Sequence, residues 1–267
     1  MPPPAAVLRA FGADSHDVTG LRGRAWRAGP VVLKPAHAPR AWLEWEERFC
    51  DRVVDVGFRL QRLVRADDGR IVVDGWIARN FLPGAHPVGS WQTRMDVGLE
   101  LLRAFGEATP LVPPMPAIPR ADAWATADRM AWEELRIPAP AMADAAVAEL
   151  AGGRRPVHEP PQVVHGDLTG NILFHPELPP AVIDMSPYYR PVGFAAGVIV
   201  ADAVIWHGAD LGLARRLIEL PDGRECLIRA MLFRHLTSLF LPGPLPAATA
   251  ADRYVALRRL TLESSAS

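Results

Sequence analysis

Residues 163–174 constrain this chain more than any other stretch. Val163-Val164 and Ile172-Leu173-Phe174 are apolar runs of strand length, and the polar loop His165-Gly166-Asp167-Leu168-Thr169-Gly170-Asn171 lies between them. A third apolar run, Ala181-Val182-Ile183, delivers Asp184. Loops at the ends of a small hairpin point their polar residues into one cleft. Phosphoryl transfer from ATP needs this kind of set. A carboxylate must accept the proton of the attacking hydroxyl, which suits Asp167. An asparagine oxygen and a second carboxylate must hold Mg2+ against the phosphates, because hard cations prefer oxygen ligands. The chain has only two asparagines, Asn80 and Asn171, so one placed four residues after Asp167 is a specific signal. The plainer reading is a polar loop between buried strands with Asp167 capping a turn.

One lysine, Lys34, stands among 29 basic residues; the others are arginine. A compact ammonium on a flexible stem differs chemically from an arginine fork. Lys34 closes the strand-like run Val31-Val32-Leu33; either the position needs such an ammonium, or codon bias has left one lysine by chance.

The first third alternates short apolar runs with turn signals. Residues 5–11, 25–26 and 31–33 read as strands, with Gly20, Gly23 and Gly29-Pro30 at turns. Trp42, Trp45, Phe49 and Val53 recur at helical spacing and predict a helix over 40–56. Residues 58–65 and 70–77 read as a hairpin turned by Asp67-Asp68-Gly69. Residues 80–89 form a connector containing proline and glycine. Beyond it the periodicity is helical: 91–107, 122–135 and 142–151, with a proline-rich segment at 109–120 between the first two. Short strands follow at 172–174 and 181–183, and residues 198–262 are mainly helical, broken at 221–223 and 241–246. The expected fold class is therefore α+β, with a small strand-rich N-terminal part over 1–80 and a mainly helical part over 81–267.

Apolar residues make up 49% and charged residues 22%, the balance of a folded globular chain. The net charge of −1 gives no basic surplus for nucleic acid and no polybasic run for a membrane surface. The N-terminal residues lack a signal peptide's charged and long apolar regions, and no apolar stretch is long enough to span a bilayer. Cys50 and Cys226 are too few for a disulfide scaffold and read as buried thiols in a reducing, cytoplasmic setting.

His165-Gly166-Asp167-Leu168-x-x-Asn171-Ile172-Leu173, followed by Ile183-Asp184, resembles the signature of aminoglycoside-phosphotransferase-like kinases. That group includes antibiotic, choline and sugar kinases. The firm resemblance covers residues 162–186. The run from Ile183 to Pro191, with Ala201-Asp202-Ala203 after it, is similar to an actinobacterial branch that lends no substrate. The resemblance implies a two-lobed protein-kinase-like fold, an antiparallel-sheet N-lobe and a mainly helical C-lobe with ATP between them. It implies Asp167 as catalytic base, Asn171 and Asp184 as Mg2+ ligands, and His165 and Asp202 as supports of the loop. It implies Lys34 as the phosphate lysine, oriented by a glutamate of the next helix: Glu44 first, then Glu46 or Glu47. Gly20 and Gly23 would cover the phosphates, and Asn80 and Phe81 would sit at the hinge that meets adenine.

The departures are informative. Gly166 stands where regulated protein kinases carry an arginine that can dock an activation-loop phosphate, and no Ala-Pro-Glu follows Asp184. Both argue against a protein kinase. From Pro187 onward seven acidic residues face nine arginines, which does not suit a polycationic acceptor. The reading is a Mg·ATP-dependent phosphotransferase acting on a hydroxyl of a small molecule. The alternatives are a pseudokinase that binds nucleotide and transfers nothing, and a metal-dependent hydrolase built on His165, Asp167 and Asp184.

Overall fold

The computed structural model describes residues 1–13, 17–36, 38–86, 91–116, 122–241 and 248–263. The elements in chain order are α1 (Ala5–Ala10), β1 (Val18–Gly20), β2 (Trp26–Ala28), β3 (Val31–Pro35), α2 (Arg40–Cys50), β4 (Arg59–Leu60), β5 (Leu63–Val64) and β6 (Trp76–Asn80). They continue with α3 (Trp91–Ala108), α4 (Ala123–Ala131), α5 (Ala139–Met142), α6 (Ala145–Gly153), β7 (Gln162–His165), β8 (Ile172–Leu173), β9 (Ala181–Val182) and β10 (Pro187–Arg190). The last four are α7 (Val192–His207), α8 (Gly212–Ile218), α9 (Gly223–Phe240) and α10 (Ala248–Glu263). The fold is α+β. One compact unit comprises 1–87, 103–118 and 172–185, the other 88–102, 119–171 and 186–267. Parts of the predicted connector (87–89), proline-rich segment (117–120) and late break (242–246) lie outside the described residues.

The first unit is built on an antiparallel sheet in the order β1-β2-β3-β6-β5. β3 is its middle strand, and Val31, Val32 and Leu33 are all buried because helices cover both faces. Side chains alternate along the strand. Val31 and Leu33 pack with Val7, Leu8 and Phe11 of the N-terminal segment, while Ile77, directly across from Lys34, packs with Leu43 of α2. Lys34 therefore belongs to the α2 face, and so does Arg79, two residues beyond Ile77. A second small sheet, β4-β9-β8, pairs β4 parallel to β9 and β9 antiparallel to β8.

The helix predicted over 122–135 ends at Ala131 and the one over 142–151 is two, α5 and α6; expectations over 5–11, 40–56 and 58–77 also need correction. Residues 5–10 are helical: alanine, leucine and arginine favour helix, and Pro4 starts the turn. The helix predicted over 40–56 ends at Cys50. The hairpin predicted between 58–65 and 70–77 pairs β5 with β6, because Asp74 and Gly75, both at positive φ, turn the chain again before Trp76.

In the second unit, α7 packs on α9. The buried faces meet closely because α7 carries glycine: a Cβ at Gly197 would sit 3.0 Å from the Ala230 Cβ and 3.2 Å from the Cys226 carbonyl oxygen. Among the described residues no helix is long and apolar enough to cross a membrane. Cys50 and Cys226 are buried free thiols, and burial pushes the Cys226 pKa up to about 12.

Candidate active site

β7 and β10 pair antiparallel, and Gly166 continues the ladder by donating its amide to the Ser186 carbonyl. β10 was not anticipated from the sequence. The loop leaves this hairpin with its side chains locked. His165 is fully buried, and its Nδ1 accepts the Asp167 amide at 3.2 Å. The Asn171 amide nitrogen donates to the Asp167 carbonyl (2.6 Å) and to Asp167 Oδ2 (3.2 Å). Thr169 donates its hydroxyl to Asp202 Oδ2 at 2.7 Å, and its carbonyl accepts from Arg94. The loop is thus held at four points while the Asp167 side chain stays half exposed.

Asp202 lies inside an otherwise apolar helix, where a lone carboxylate would be costly. Arg234 of α9 offsets it. Its Nε donates to Asp202 Oδ1 (2.9 Å), and its Nη2 donates to Asp202 Oδ2 (2.6 Å) and to Asp167 Oδ1 (2.9 Å). Burial draws the Arg234 pKa down, but the two carboxylates outweigh it and leave it above the ordinary arginine value. Arg234 was missed in the sequence, where it is one arginine among 28. The only hint was the need of Asp202 for a partner.

Gly166 has a steric reason. A Cβ there would lie 2.3 Å from the Tyr188 ring, which is buried against Leu102, Val164 and Ala195. The position taken by arginine in regulated kinases is closed here by an aromatic ring. A cavity of about 100 Å3 beside it is lined by Trp124, Gly166, Asp167, Ser186, Tyr188 and Arg234. Another of about 270 Å3 is lined by Asp202, Trp206, His207, Arg234, Thr237 and Ser238.

In the first unit, Lys34 Nζ lies 2.7 Å from Asp184 Oδ1. Asp184 has a left-handed backbone, φ +57°, unusual for a residue with a Cβ. Its amide donates to Gln61 Oε1 (3.2 Å), and Gln61 Nε2 donates to the Asn80 carbonyl (3.1 Å). Gln61, buried and not singled out from the sequence, ties Asp184 to the last residue of β6. Asn80 Oδ1 accepts the Arg62 amide at 2.6 Å. Phe81 donates its amide to Pro30 and lies under the Arg27 guanidinium, 3.8 Å from the ring centre. Gly20 ends β1 against the Trp26 ring, and Gly23 turns the chain to β2 at φ +69°.

Glu44 is not brought to Lys34. It faces Arg40 one turn back, and this partner holds its carboxyl below the usual range. Glu47 pairs with Arg65. Glu46 is the buried glutamate of α2 and pairs with Arg79 at 2.5 Å. Lys34 makes its ion pair with Asp184 instead.

The donor chemistry suits a hard divalent cation. Because Asn171 spends its nitrogen on Asp167, its oxygen Oδ1 remains for a metal. The Asp184 carboxylate is half exposed. Among the described residues no group of three or more His, Cys, Asp or Glu could hold a metal alone. Mg2+ takes few protein ligands and completes its shell with phosphate and water, so a single oxygen donor in either unit is chemically suited to it.

Neither the known protein families nor the curated proteins contain a match to this sequence. Solved structures do match. A thermostable mutant of aminoglycoside phosphotransferase APH(4)-Ia, in a ternary complex with ADP and hygromycin B, superposes with a TM-score of 0.62 at 13% identity over 98% of each chain. Amicoumacin kinase hAmiN, with AMP-PNP and Ca2+, gives 0.62 at 15% identity over 97% of this chain and 92% of the other. An aminoglycoside phosphotransferase from Alicyclobacillus acidocaldarius gives 0.59 at 15% identity over 98% and 95%. The chain has the fold of the aminoglycoside phosphotransferases.

Proposed function

We propose that this chain is an ATP-dependent small-molecule kinase that moves the γ-phosphoryl group to an alcohol, with Mg2+ as the metal. The observation that carries the reading is Asp167: a half-exposed carboxylate fixed by Asn171 and Arg234 on an otherwise buried frame. A protein that only binds nucleotide has no use for it. The solved structures of the same fold contain ADP or AMP-PNP and antibiotic substrates, which supports the reading.

Asp167 accepts the proton of the attacking hydroxyl and orients its oxygen. Lys34 neutralises phosphate charge when nucleotide draws it from Asp184. Asn171 Oδ1 and the Asp184 carboxylate would hold the metal. Bound there, the metal would spread the charge of the β- and γ-phosphates. Gly20 and Gly23 cover the phosphates, and Asn80 and Phe81 border the adenine.

The test uses ATP labelled on the γ-phosphate, a pool of small alcohols, and Asp167→Asn as the blank. Wild type should move label into an acid-stable small product, while Asp167→Asn binds nucleotide equally and transfers at least about a hundredfold less. Equal transfer by both proteins, or no nucleotide binding by wild type, refutes the proposal.

A further inference from the structure

Arg234 lines both of the cavities described above, which share it as a wall. Three of its hydrogen bonds go to Asp167 and Asp202, so both carboxylates at this wall already face one internal cation. That cation is permanent, since an arginine with two acidic partners does not lose its proton. Its Nη1 has no acceptor among the described residues. The other lining groups are aromatic, hydroxyl or imidazole: Trp124, Ser186 and Tyr188 on one side, Trp206, His207 and Ser238 on the other.

We propose that Arg234 determines acceptor chemistry: the alcohol deprotonated by Asp167 presents an oxygen, and no ammonium, beside its reacting hydroxyl. This rests on reading Asp167 as the base. An ammonium entering either cavity would stand beside a guanidinium. It would also find both carboxylates that could replace its hydration already paired. An oxygen meets the opposite situation. A guanidinium donates in a fixed fork and accepts nothing, so its remaining N–H groups call for a hydroxyl, carbonyl or carboxylate oxygen. Polyols and hydroxy acids share that feature.

The experiment measures binding to the Mg·ADP-loaded full chain by calorimetry with matched pairs: myo-inositol against 2-deoxystreptamine, glucose against glucosamine, and gluconate as the anionic arm. In wild type the oxygen member should bind at least about tenfold tighter than its amine counterpart. Arg234→Ala should reverse the order, because two carboxylates are then left without their cation. Should that variant fail to fold, Arg234→Gln with Asp202→Asn removes one charge of each sign and should still gain amine binding. Amines bound by wild type as well as their counterparts, or no gain of amine binding in a folded variant, overturns the inference. Mg·ATP stabilisation of the same wild-type sample separates the two claims. If it is absent, the kinase reading has failed; if it is present and amines bind equally, only the role of Arg234 has.

Discussion

Lys34 Nζ and Asp184 Oδ1 meet at 2.7 Å, although 150 residues separate them in sequence. β3 carries one and the segment after β9 the other, within the same compact unit. Both side chains keep some exposure, 20% and 51%, so the pair contributes only about 0–1 kcal/mol to the ligand-free fold. Its importance lies in what nucleotide does to it. Lys34→Ala and Asp184→Ala should each change the ligand-free melting temperature by no more than a few degrees. Mg·ATP at about a hundred times its dissociation constant should raise that of wild type by roughly 5–10 °C. Neither variant should respond. A full rise in both would remove the pair from the nucleotide site.

Glu46 and Arg79 present the contrasting case. Each side chain is only 1% exposed, and Arg79 Nε and Nη2 find no hydrogen-bond acceptor among the described residues. Removing one partner strands a buried charge. Glu46→Ala should cost about 3–5 kcal/mol, while Glu46→Met with Arg79→Met should restore most of the loss or exceed wild type. Urea unfolding of the three proteins checks this. A single variant within about 1 kcal/mol of wild type would mean that water reaches the pair.

Some of this was legible in the sequence and some was not, for identifiable reasons. Asp167, Asn171 and Asp184 stood out because polar residues, one of them a rare asparagine, sat between apolar runs, and Lys34 because it had no other lysine for company. Their setting beside apolar runs is local and carries over into the structure, where those runs are the strands β3, β7, β8 and β9. The choice among Glu44, Glu46 and Glu47 depended on helix phase. Glu46 falls four residues after Trp42 and three after Leu43, on the buried face, and an arginine inside the apolar strand 76–80 was its natural partner. Arg234 depended on tertiary packing: only the close approach of α7 and α9 sets it beside Asp202, 32 residues away. The run 5–10 is too short to show a helical period, and β10 begins only three residues after Asp184, too soon to stand out as a strand of its own.

Gly166 and Tyr188 should be coupled. Because a methyl group at 166 would penetrate the Tyr188 ring, Gly166→Ala should cost about 1–3 kcal/mol through overpacking. In a Tyr188→Ala background the same change should cost less than about 0.5 kcal/mol, giving a clear coupling energy in a double-mutant cycle. Additive effects would show that the backbone at 166, and not the ring, dictates glycine.

Asp222 supplies a pH-dependent anchor. Its carboxylate accepts the backbone amides of His158 (2.5 Å) and Glu159 (2.7 Å), pinning the segment before β7 to the start of α9. Burial raises its pKa, but these hydrogen bonds outweigh burial and hold it below the ordinary aspartate value. A depressed carboxyl contributes stability that is complete above the unfolded value, about 3.9, and is lost as pH falls through the lower folded one. Asp222→Ala should therefore destabilise by about 1–3 kcal/mol at pH 7. The gap from wild type should hold down to about pH 4 and narrow as the pH falls further. Urea titrations of both proteins across that range measure it. A gap that widens on acidification would reverse the sign and show that the neutral carboxylic acid, not the carboxylate, is the form the fold prefers.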